Sequence, residues 1–375
     1  MFAYLDNSAT TRPCPEAVAA MVEALETGWG NPSSLYRFGM DAAHRLKAAR
    51  DQVAKALGAE PDRVFFTSGG TEADNWAIFS AMSRMGKRGR HVITTAVEHH
   101  AVLNPMRRLE EQGFEVTYLK PDALGRVCLD ALREAIRPDT VLVSVMMVNN
   151  ESGAVMPIGA MAKLTHRLAP NAIFHTDAVQ GFLKLPFQAK TLGADLISIS
   201  SHKVHGPKGA GALYIRRGLP LPPYLLGGGQ EGGYRSGTEA TPAVVGFGAA
   251  CAAALPTLRE DLAREAALRD RSAALLAEIP GVELLGAREA PHILLASIPG
   301  VPTQNTINIL QDHGVCVSAG SACARGHRSH VLEAMGLPPE TVDGAFRISL
   351  SRFTSPEELE QLAVGLTAVV QRMRR

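Results

Sequence analysis

Five clusters of polar residues follow apolar, strand-like runs of this sequence, and each contains groups that can bind anions or transfer protons. In an open α/β sheet, ligands bind at the carboxyl ends of the strands, so these clusters are expected to meet there. Fold stability does not require acid, base and amide groups at each strand end. The pattern therefore predicts one site built from Ser68-Gly-Gly-Thr71-Glu72, Glu98-His99, Asn149-Asn150-Glu151, Asp177-Ala-Val-Gln180 and Ser200-Ser-His202-Lys203.

The first of these clusters predicts an anion-binding turn. Residues 67–76 lead from a strand to a helix through Gly69 and Gly70. Free backbone N–H groups and the positive end of the helix dipole attract anions there, and Thr71 adds a hydroxyl donor. A plain turn in which Ser or Thr caps the helix explains the same residues. The turn has no Walker A lysine, which disfavours a nucleoside triphosphate.

Lys203 is the candidate covalent residue. A lysine that follows an apolar strand and adjoins a histidine can have its amine pKa lowered, which suits a Schiff base, although a surface loop lysine is the ordinary alternative. Asp177, at the end of the preceding strand, could keep a pyridinium nitrogen protonated and make its ring an electron sink. Ser200 and His202 could reach the same phosphate as Thr71.

Cys323 is the candidate nucleophile. Its small, polar, Gly-containing surroundings predict an exposed loop. Cys316, inside the apolar run Gly-Val-Cys-Val, fits the alternative of a structural cysteine better. The spacing of this pair matches no standard zinc motif, so no metal site is predicted. Basic side chains near Cys323 favour its thiolate: Arg325, His327, Arg328 and His330.

Composition indicates a soluble protein of the cytoplasm. Hydrophobic residues make up 46% and charged residues 20% of the 375 residues, and the net charge of +1 gives no reason to expect direct nucleic-acid binding. The N-terminus has no apolar signal core. The longest apolar run, residues 243–255, is too short for a membrane span and predicts a buried helix. Five scattered cysteines indicate reduced thiols.

Strand-like and helical patterns alternate through the first two thirds of the chain, which predicts a mainly parallel sheet covered by helices on both faces. An amphipathic helix is predicted at residues 157–168, and a Pro- and Gly-rich stretch at 220–233 predicts a long loop. The seven predicted strands are residues 63–67, 91–95, 115–119, 141–148, 173–176, 196–200 and 211–215.

The last third of the chain has a different pattern. A long Ala-rich helical region, residues 242–279, precedes short strands near 292–298 and 315–318, and a closing helix is predicted at 356–373. Because 375 residues exceed the usual size of one core, two lobes are expected. We predict a large domain of residues 13–250 and a smaller α+β domain of residues 1–12 and 251–375.

The ordered motifs closely resemble those of the cysteine desulfurases, in the class V aminotransferase family of fold-type I pyridoxal-phosphate enzymes. The resemblance covers nearly the whole chain. Besides the five clusters it includes Tyr4-Leu-Asp-Asn-Ser-Ala-Thr-Thr11, Gly30-Asn-Pro-Ser-Ser34, His175-Thr-Asp177, Arg235-Ser-Gly-Thr238, Gly320-Ser-Ala-Cys323 and Arg347-Ile-Ser-Leu-Ser-Arg-Phe353.

The resemblance implies a role for each matching residue. Lys203 would hold pyridoxal 5′-phosphate covalently, with Asp177 at the pyridine nitrogen, Gln180 at the phenolic oxygen and His99 stacked on the ring as a proton carrier. Asn150 and Arg347 would hold the substrate carboxylate, and Asn150 would also border the cofactor. The residues at the phosphate would be Gly70, Thr71, Ser200 and His202, with Thr238 reaching the cofactor of the second subunit in a homodimer with shared sites.

The implied reaction removes sulfur from L-cysteine, gives L-alanine, and leaves a persulfide on Cys323 for an acceptor protein such as an iron–sulfur scaffold. A tRNA-thiolation relay is an alternative acceptor. Alternative functions are a selenocysteine lyase, a small aminotransferase or a non-catalytic sulfur carrier. The sequence differs from the family in two places: Gly232 stands where arginine usually follows the Gly-Gly-Gly-Gln-Glu motif, and the stretch from Cys323 to Leu332 is shorter than in many relatives.

Overall fold

A computed structural model describes residues 2–319 and 328–373, and a seven-stranded sheet is at its centre. The strand order is β2-β8-β7-β6-β5-β3-β4, in which only β8 runs against the other six. This confirms the predicted mainly parallel sheet. The strands are β2 (Val64–Thr67), β3 (His91–Thr95), β4 (Glu115–Leu119), β5 (Thr140–Ser144), β6 (Ile173–Asp177), β7 (Leu196–Ser200) and β8 (Gly211–Ile215), after a short β1 (Ala3–Tyr4).

Helices cover both faces of this sheet. Neighbouring strand residues point to opposite faces, because side chains alternate along a strand. Val92 faces a core with Trp76 and Met106, whereas Ile93 faces the other core. The first eight helices are α1 (Pro15–Thr27), α2 (Arg37–Leu57), α3 (Gly70–Met85), α4 (His100–Glu111), α5 (Leu129–Ala135), α6 (Ile158–Leu168), α7 (Ala189–Leu192) and α8 (Thr241–Ala254).

The helix predicted from the longest apolar run is α8, and it is buried as predicted. It packs against α1 and α2. Gly248 permits this close approach, because a Cβ there would lie 2.7 Å from the Cα of Ala49. By length and composition the stretch Thr241–Ala277 would also pass as a membrane span, which is weak evidence because core helices of soluble proteins pass the same test.

Most of the remaining elements pack around a second core, whereas Val331, Leu332 and Val342 pack into a core of the large sheet. A four-stranded antiparallel sheet has the order β12-β13-β10-β9, and β1 pairs in parallel with β11. Leu5, Leu294 and Phe346 belong to the second core. The domain boundaries stay a prediction. The elements are α9 (Leu258–Ala277), β9 (Glu283–Leu285), β10 (Ile293–Ser297), α10 (Thr303–Asp312), β11 (Val315–Cys316), β12 (Ser318–Ala319), α11 (His330–Ala334), α12 (Pro339–Asp343), β13 (Ala345–Ser349) and α13 (Pro356–Met373).

Most predicted boundaries agree with the structure to within one or two residues, but two do not. The strand predicted over residues 141–148 ends at Ser144. The Val145 and Met147 N–H groups still donate to β6, but the Met146 N–H donates to a side chain, the carboxyl group of Glu98, instead of to a neighbouring strand. The single helical region predicted over 242–279 is two helices, α8 and α9, joined by a 3₁₀ turn at Leu255–Thr257 that contains Pro256.

Candidate active site

A cavity of about 290 Å³ lies where the predicted polar clusters meet, at the carboxyl ends of the strands. The five clusters therefore converge as expected from the sheet topology. Ten of the predicted site residues line this cavity: Gly70, Thr71, His99, Asn150, Asp177, Gln180, Ser200, His202, Lys203 and Arg347.

Lys203 ends a 3₁₀ turn that directly follows β7. Its Nζ donates to the carbonyl oxygens of Ser8 and Ala9, at 2.6 and 2.7 Å. The N-terminal segment therefore forms one wall of the cavity, opposite the sheet. The sequence motifs include this segment, but no pattern in it indicates that its backbone carbonyls contact the lysine.

One end of the cavity has the features of an anion site. Gly70 is the first residue of the 16-residue helix α3, and a Cβ on it would lie 2.7 Å from Val179 Cγ2, so the backbone is open there only because residue 70 is glycine. Ser200 Oγ is buried and has no hydrogen-bond partner among the described residues. His202 Nδ1 lies 3.2 Å from Thr10 Oγ1. A helix N-terminus with an unpaired hydroxyl and an imidazole suits a phosphate group.

Asp177 ends β6, where the Val179 N–H donates to its Oδ1 at 2.8 Å. Burial raises the pKa of Asp177 to about 6, against the lowering effects of that N–H and of Lys203. Asp74 also lines the cavity, and burial together with the charge of Asp177 raises its pKa well above the ordinary value. Two carboxyl groups thus share this buried wall, and only a cationic ligand would favour full ionisation there.

His99 occupies the position before α4, and its Nδ1 accepts from the Ala101 N–H at 3.1 Å. The proton of the neutral ring therefore resides on Nε2. Burial, and then the charge of Lys203, lower the pKa of His99 to about 4. A neutral imidazole with a fixed tautomer can pass a proton at Nε2 without becoming a permanent cation.

Arg347 lies on β13, and its side chain is only 2% exposed. Its two terminal nitrogens donate to the backbone oxygen of Asn150 and to Asp6 Oδ1, both at 2.8 Å. The Nε has no hydrogen-bond partner among the described residues. These contacts fix the guanidinium at the cavity wall, where it can bind a carboxylate.

Sequence reasoning missed several cavity residues. Asp74 lies in the helix that follows the anion turn and had no predicted role, and His330 was assigned only to the basic surroundings of Cys323. Glu151 belongs to one of the five clusters but had no predicted role. Burial raises the pKa of Glu151 to about 7, and Ser329 Oγ donates a hydrogen bond to its Oε2. The cavity residues without a predicted role are Ser8, Ala9, Asp74, His100, Met146, Val148, Glu151, Val179 and His330.

Two predicted residues are not part of this cavity as described. Thr238 is exposed, on a loop that Arg235 fastens to Glu72 through two hydrogen bonds. Glu231 of the same loop region is bound by Arg50, again through two hydrogen bonds. Cys323 lies outside the described residues. Among the described residues there is no group of three or more His, Cys, Asp or Glu side chains able to hold a metal ion.

Comparisons with known proteins agree with this geometry. A family model described as aminotransferase class-V matches residues 3–362. A cysteine desulfurase of Trichormus azollae is 43% identical over an alignment of 376 positions, which covers 99% of this chain and 93% of that protein.

Two solved structures are similar as well. One, described as a NifS-like protein, has a TM-score of 0.94 and 36% identity, with 99% of this chain and 100% of that chain covered. Another, described as SspA in complex with cysteine, has a TM-score of 0.79 and 33% identity over 94% of this chain and 100% of that one. The chain therefore belongs to the class V aminotransferase family and, within it, to the cysteine desulfurases.

Proposed function

We propose that this protein is a pyridoxal-phosphate-dependent cysteine desulfurase that converts L-cysteine to L-alanine and keeps the sulfur as a persulfide on Cys323. The observation that carries the proposal is the convergence of Lys203, Asp177 and an anion site in one cavity. A phosphate group, an aromatic nitrogen and an aldehyde on one small molecule would use all three features.

The residues present fit that cofactor. Gly70, Thr71, Ser200 and His202 would hold its phosphate, and Ser200 Oγ, buried without a partner among the described residues, supports this assignment. Asp177 would pair with the ring nitrogen, Gln180 and Asn150 would face the phenolic oxygen side, and His99 would lie on the ring. When bound through Lys203, the cofactor supplies an electron sink that stabilises negative charge on the substrate α-carbon.

Arg347 and Asn150 would hold the substrate carboxylate. A guanidinium presents its donors in a planar fork, and Arg347 is held in place by Asp6, so little ordering is needed when the substrate binds. This contact orients the amino acid with its α-carbon toward Lys203. The SspA structure, described as a complex with cysteine, supports a cysteine substrate for this cavity.

Two side chains would move protons. The Lys203 amine takes the proton from the α-carbon, and the carbonyls of Ser8 and Ala9 accept hydrogen bonds from the amine when it is unattached. His99 Nε2 passes a proton at the substrate thiol, because its Nδ1 is occupied by the Ala101 N–H. Burial keeps the imidazole neutral with its hydrogen on Nε2, so this N–H is the group that donates toward the substrate sulfur.

Cys323 would receive the sulfur. Its thiolate attacks the substrate sulfur, an S–S bond forms, and the C–S bond breaks with its electron pair left on carbon, which takes up protons to become alanine. Support comes from the two ends of the segment that contains Cys323. Ser318 pairs with Arg347 across the sheet, and Ser329 donates to Glu151, so both ends adjoin the cavity.

We also propose a cytoplasmic homodimer with shared active sites. Large apolar side chains lie exposed near the start of the chain, among them Trp29 at 71% and Leu35 at 94% exposure, and a second copy would cover them. Thr238 is exposed on its fastened loop, in a position to serve another subunit. The persulfide would pass to an acceptor protein, for which an iron–sulfur scaffold is our first candidate.

A pair of variants tests the function. Lys203→Ala should abolish the yellow absorbance of the bound cofactor and all turnover. Cys323→Ser should keep the absorbance and lose sulfide release, with alanine and sulfide measured in parallel. Full activity of Cys323→Ser on cysteine would overturn the desulfurase mechanism and favour another lyase. A panel of cysteine, selenocysteine and keto-acid acceptors separates the remaining alternatives.

A further inference from the structure

The side-chain amide of Gln180 is fixed from two directions by segments outside the large sheet. Its Nε2 donates to the Ser8 carbonyl oxygen at 2.9 Å, and its Oε1 lies 3.3 Å from His292 Nε2. A carbonyl oxygen can only accept, so Ser8 determines which end of the amide carries the nitrogen. The Oε1 must then accept from His292, and His292 must carry its proton on Nε2.

The surroundings of His292 agree with that tautomer. The side chain is buried, and its Nδ1 has no hydrogen-bond partner among the described residues, as suits the nitrogen without a hydrogen. Burial, and then the positive charges of Lys184, Arg347, Arg269 and Lys203, hold the pKa of His292 well below its ordinary value. The imidazole therefore stays neutral and keeps one N–H to donate.

The two contacts on Gln180 come from residues that are hydrogen-bonded to the same small sheet. His292 directly precedes β10, and its backbone oxygen accepts from the Leu350 N–H just after β13. The Ser8 N–H donates to Ser349 Oγ at 2.8 Å. Both residues are therefore held by the small antiparallel sheet. The Ser8 carbonyl also accepts from Lys203, so one backbone group orients both cavity residues.

We propose that His292 is a positioning residue that holds Gln180 so that the second amide N–H faces the phenolic oxygen of the cofactor. This inference rests on the proposed function. The carbonyl of Ser8 uses one of the two hydrogens on Gln180 Nε2, and the other stays available to the ligand. Without the His292 contact the Gln180 Oε1 loses a partner and the amide can rotate away.

The test is a pH titration of the yellow absorption band of the holoenzyme. His292→Met removes the donor, and His292→Gln, of nearly the same length and volume, keeps an N–H near the position of Nε2. A donor to the phenolic oxygen stabilises its negative charge most when the adjacent Lys203 nitrogen has lost its proton. We therefore expect His292→Met to raise the midpoint of the band by roughly half to one pH unit, and His292→Gln to restore it.

Gln180→Met and the double variant complete the cycle. Gln180→Met should shift the midpoint upward too, and adding His292→Met should produce no further shift, because the two residues act through one contact. If Met is not tolerated, His292→Asn replaces it, since its amide is too short to reach Gln180; the same upward shift is expected.

Each other result has a definite meaning. A shift in Gln180→Met with none in folded His292→Met or His292→Asn overturns the role of His292 and leaves the proposed function standing. Equal shifts in His292→Gln and His292→Met would show a merely structural effect and also overturn it. A wild-type protein without the yellow band would instead refute the proposed cofactor.

Discussion

The two halves of the cavity are built in different ways. One half follows the strands of the large sheet: Asp177 and Lys203 each stand within three residues of a strand end. The other half contains Ser8 and Arg347, and His292, which does not line the cavity, supports it by contacting Gln180; the small antiparallel sheet holds all three residues. The first half repeats a rule of α/β topology, whereas the second depends on contacts between residues hundreds of positions apart.

This difference in construction explains why the two halves of the cavity carry different kinds of chemical group. The strand-end half carries the carboxyl groups and hydroxyls that would hold a cofactor. The small-sheet half carries the guanidinium and carbonyls that orient what binds, and the His292 imidazole that holds Gln180. Chemistry and orientation are thus separated between two packed units, and variants in each half should fail in different ways.

The largest effect is expected in the strand-end half. Asp177→Asn should lower kcat by roughly a hundredfold to a thousandfold, because it leaves a buried ring nitrogen without its counter-charge. Asp74→Asn is the matched control: burial and the charge of Asp177 raise the pKa of Asp74 well above its ordinary value, which favours the neutral form that Asn mimics, so the change should stay within about threefold. Steady-state alanine formation measures both, and equal losses in the two variants would contradict the assignment of Asp177.

A pH-dependent effect is expected at Glu98, a buried residue that directly precedes the cavity residue His99. Burial raises its pKa to about 8. The contribution of Glu98 to stability is therefore full below its unfolded pKa, near 4.5, and is lost as the pH rises toward 8. Glu98→Gln mimics the protonated acid, and its amide oxygen can accept from Thr95 and Met146 in the same way.

The advantage of Glu98→Gln over wild type should accordingly grow by roughly 2–4 kcal/mol between pH 5 and pH 8. Urea unfolding at a series of pH values measures this difference. Glu26→Gln, at an exposed position, is the control and should show no such trend. A difference that is constant with pH would mean that Glu98 is ionised in the folded protein.

Variants in the small-sheet half should weaken substrate binding. Arg347→Lys keeps the charge but loses the planar fork, so KM for cysteine should rise roughly tenfold to a hundredfold with a smaller change in kcat. Arg352→Lys, five residues further along and outside this cavity, should leave KM unchanged. A loss confined to kcat in Arg347→Lys would assign this residue to the chemical step instead of to substrate binding.

The smallest effect concerns the loop that carries Thr238. Arg235→Met removes a partly buried pair with Glu72 and should lower the free energy of unfolding by about 1–2 kcal/mol. Arg217→Met removes an exposed pair with Asp62 and should change it by less than about 0.5 kcal/mol. Denaturant unfolding compares the two, and equal values would mean that the Arg235 pair is screened like a surface pair.

Much of the fold followed from local patterns. The strands at His91–Thr95, Glu115–Leu119, Leu196–Ser200 and Gly211–Ile215 match the prediction, since apolar runs bounded by turn residues mark them clearly. The predicted end of β5 was wrong because the side chain of Glu98 accepts the hydrogen bond from the Met146 N–H that a strand partner would otherwise accept. No local sequence pattern indicates that a distant side chain will replace a strand partner as the acceptor for this N–H.

The sequence by itself determined the strand-end residues, because a polar cluster after an apolar run lies at the sheet edge whatever the rest of the chain does. It also determined, through its ordered motifs, the family to which these residues belong. Only the tertiary structure decided that Ser8 contacts Lys203, that Asp6 holds Arg347, and that His292 meets Gln180. These contacts join residues 112 to 341 positions apart, and pairing of the small sheets with the N-terminal segment creates them.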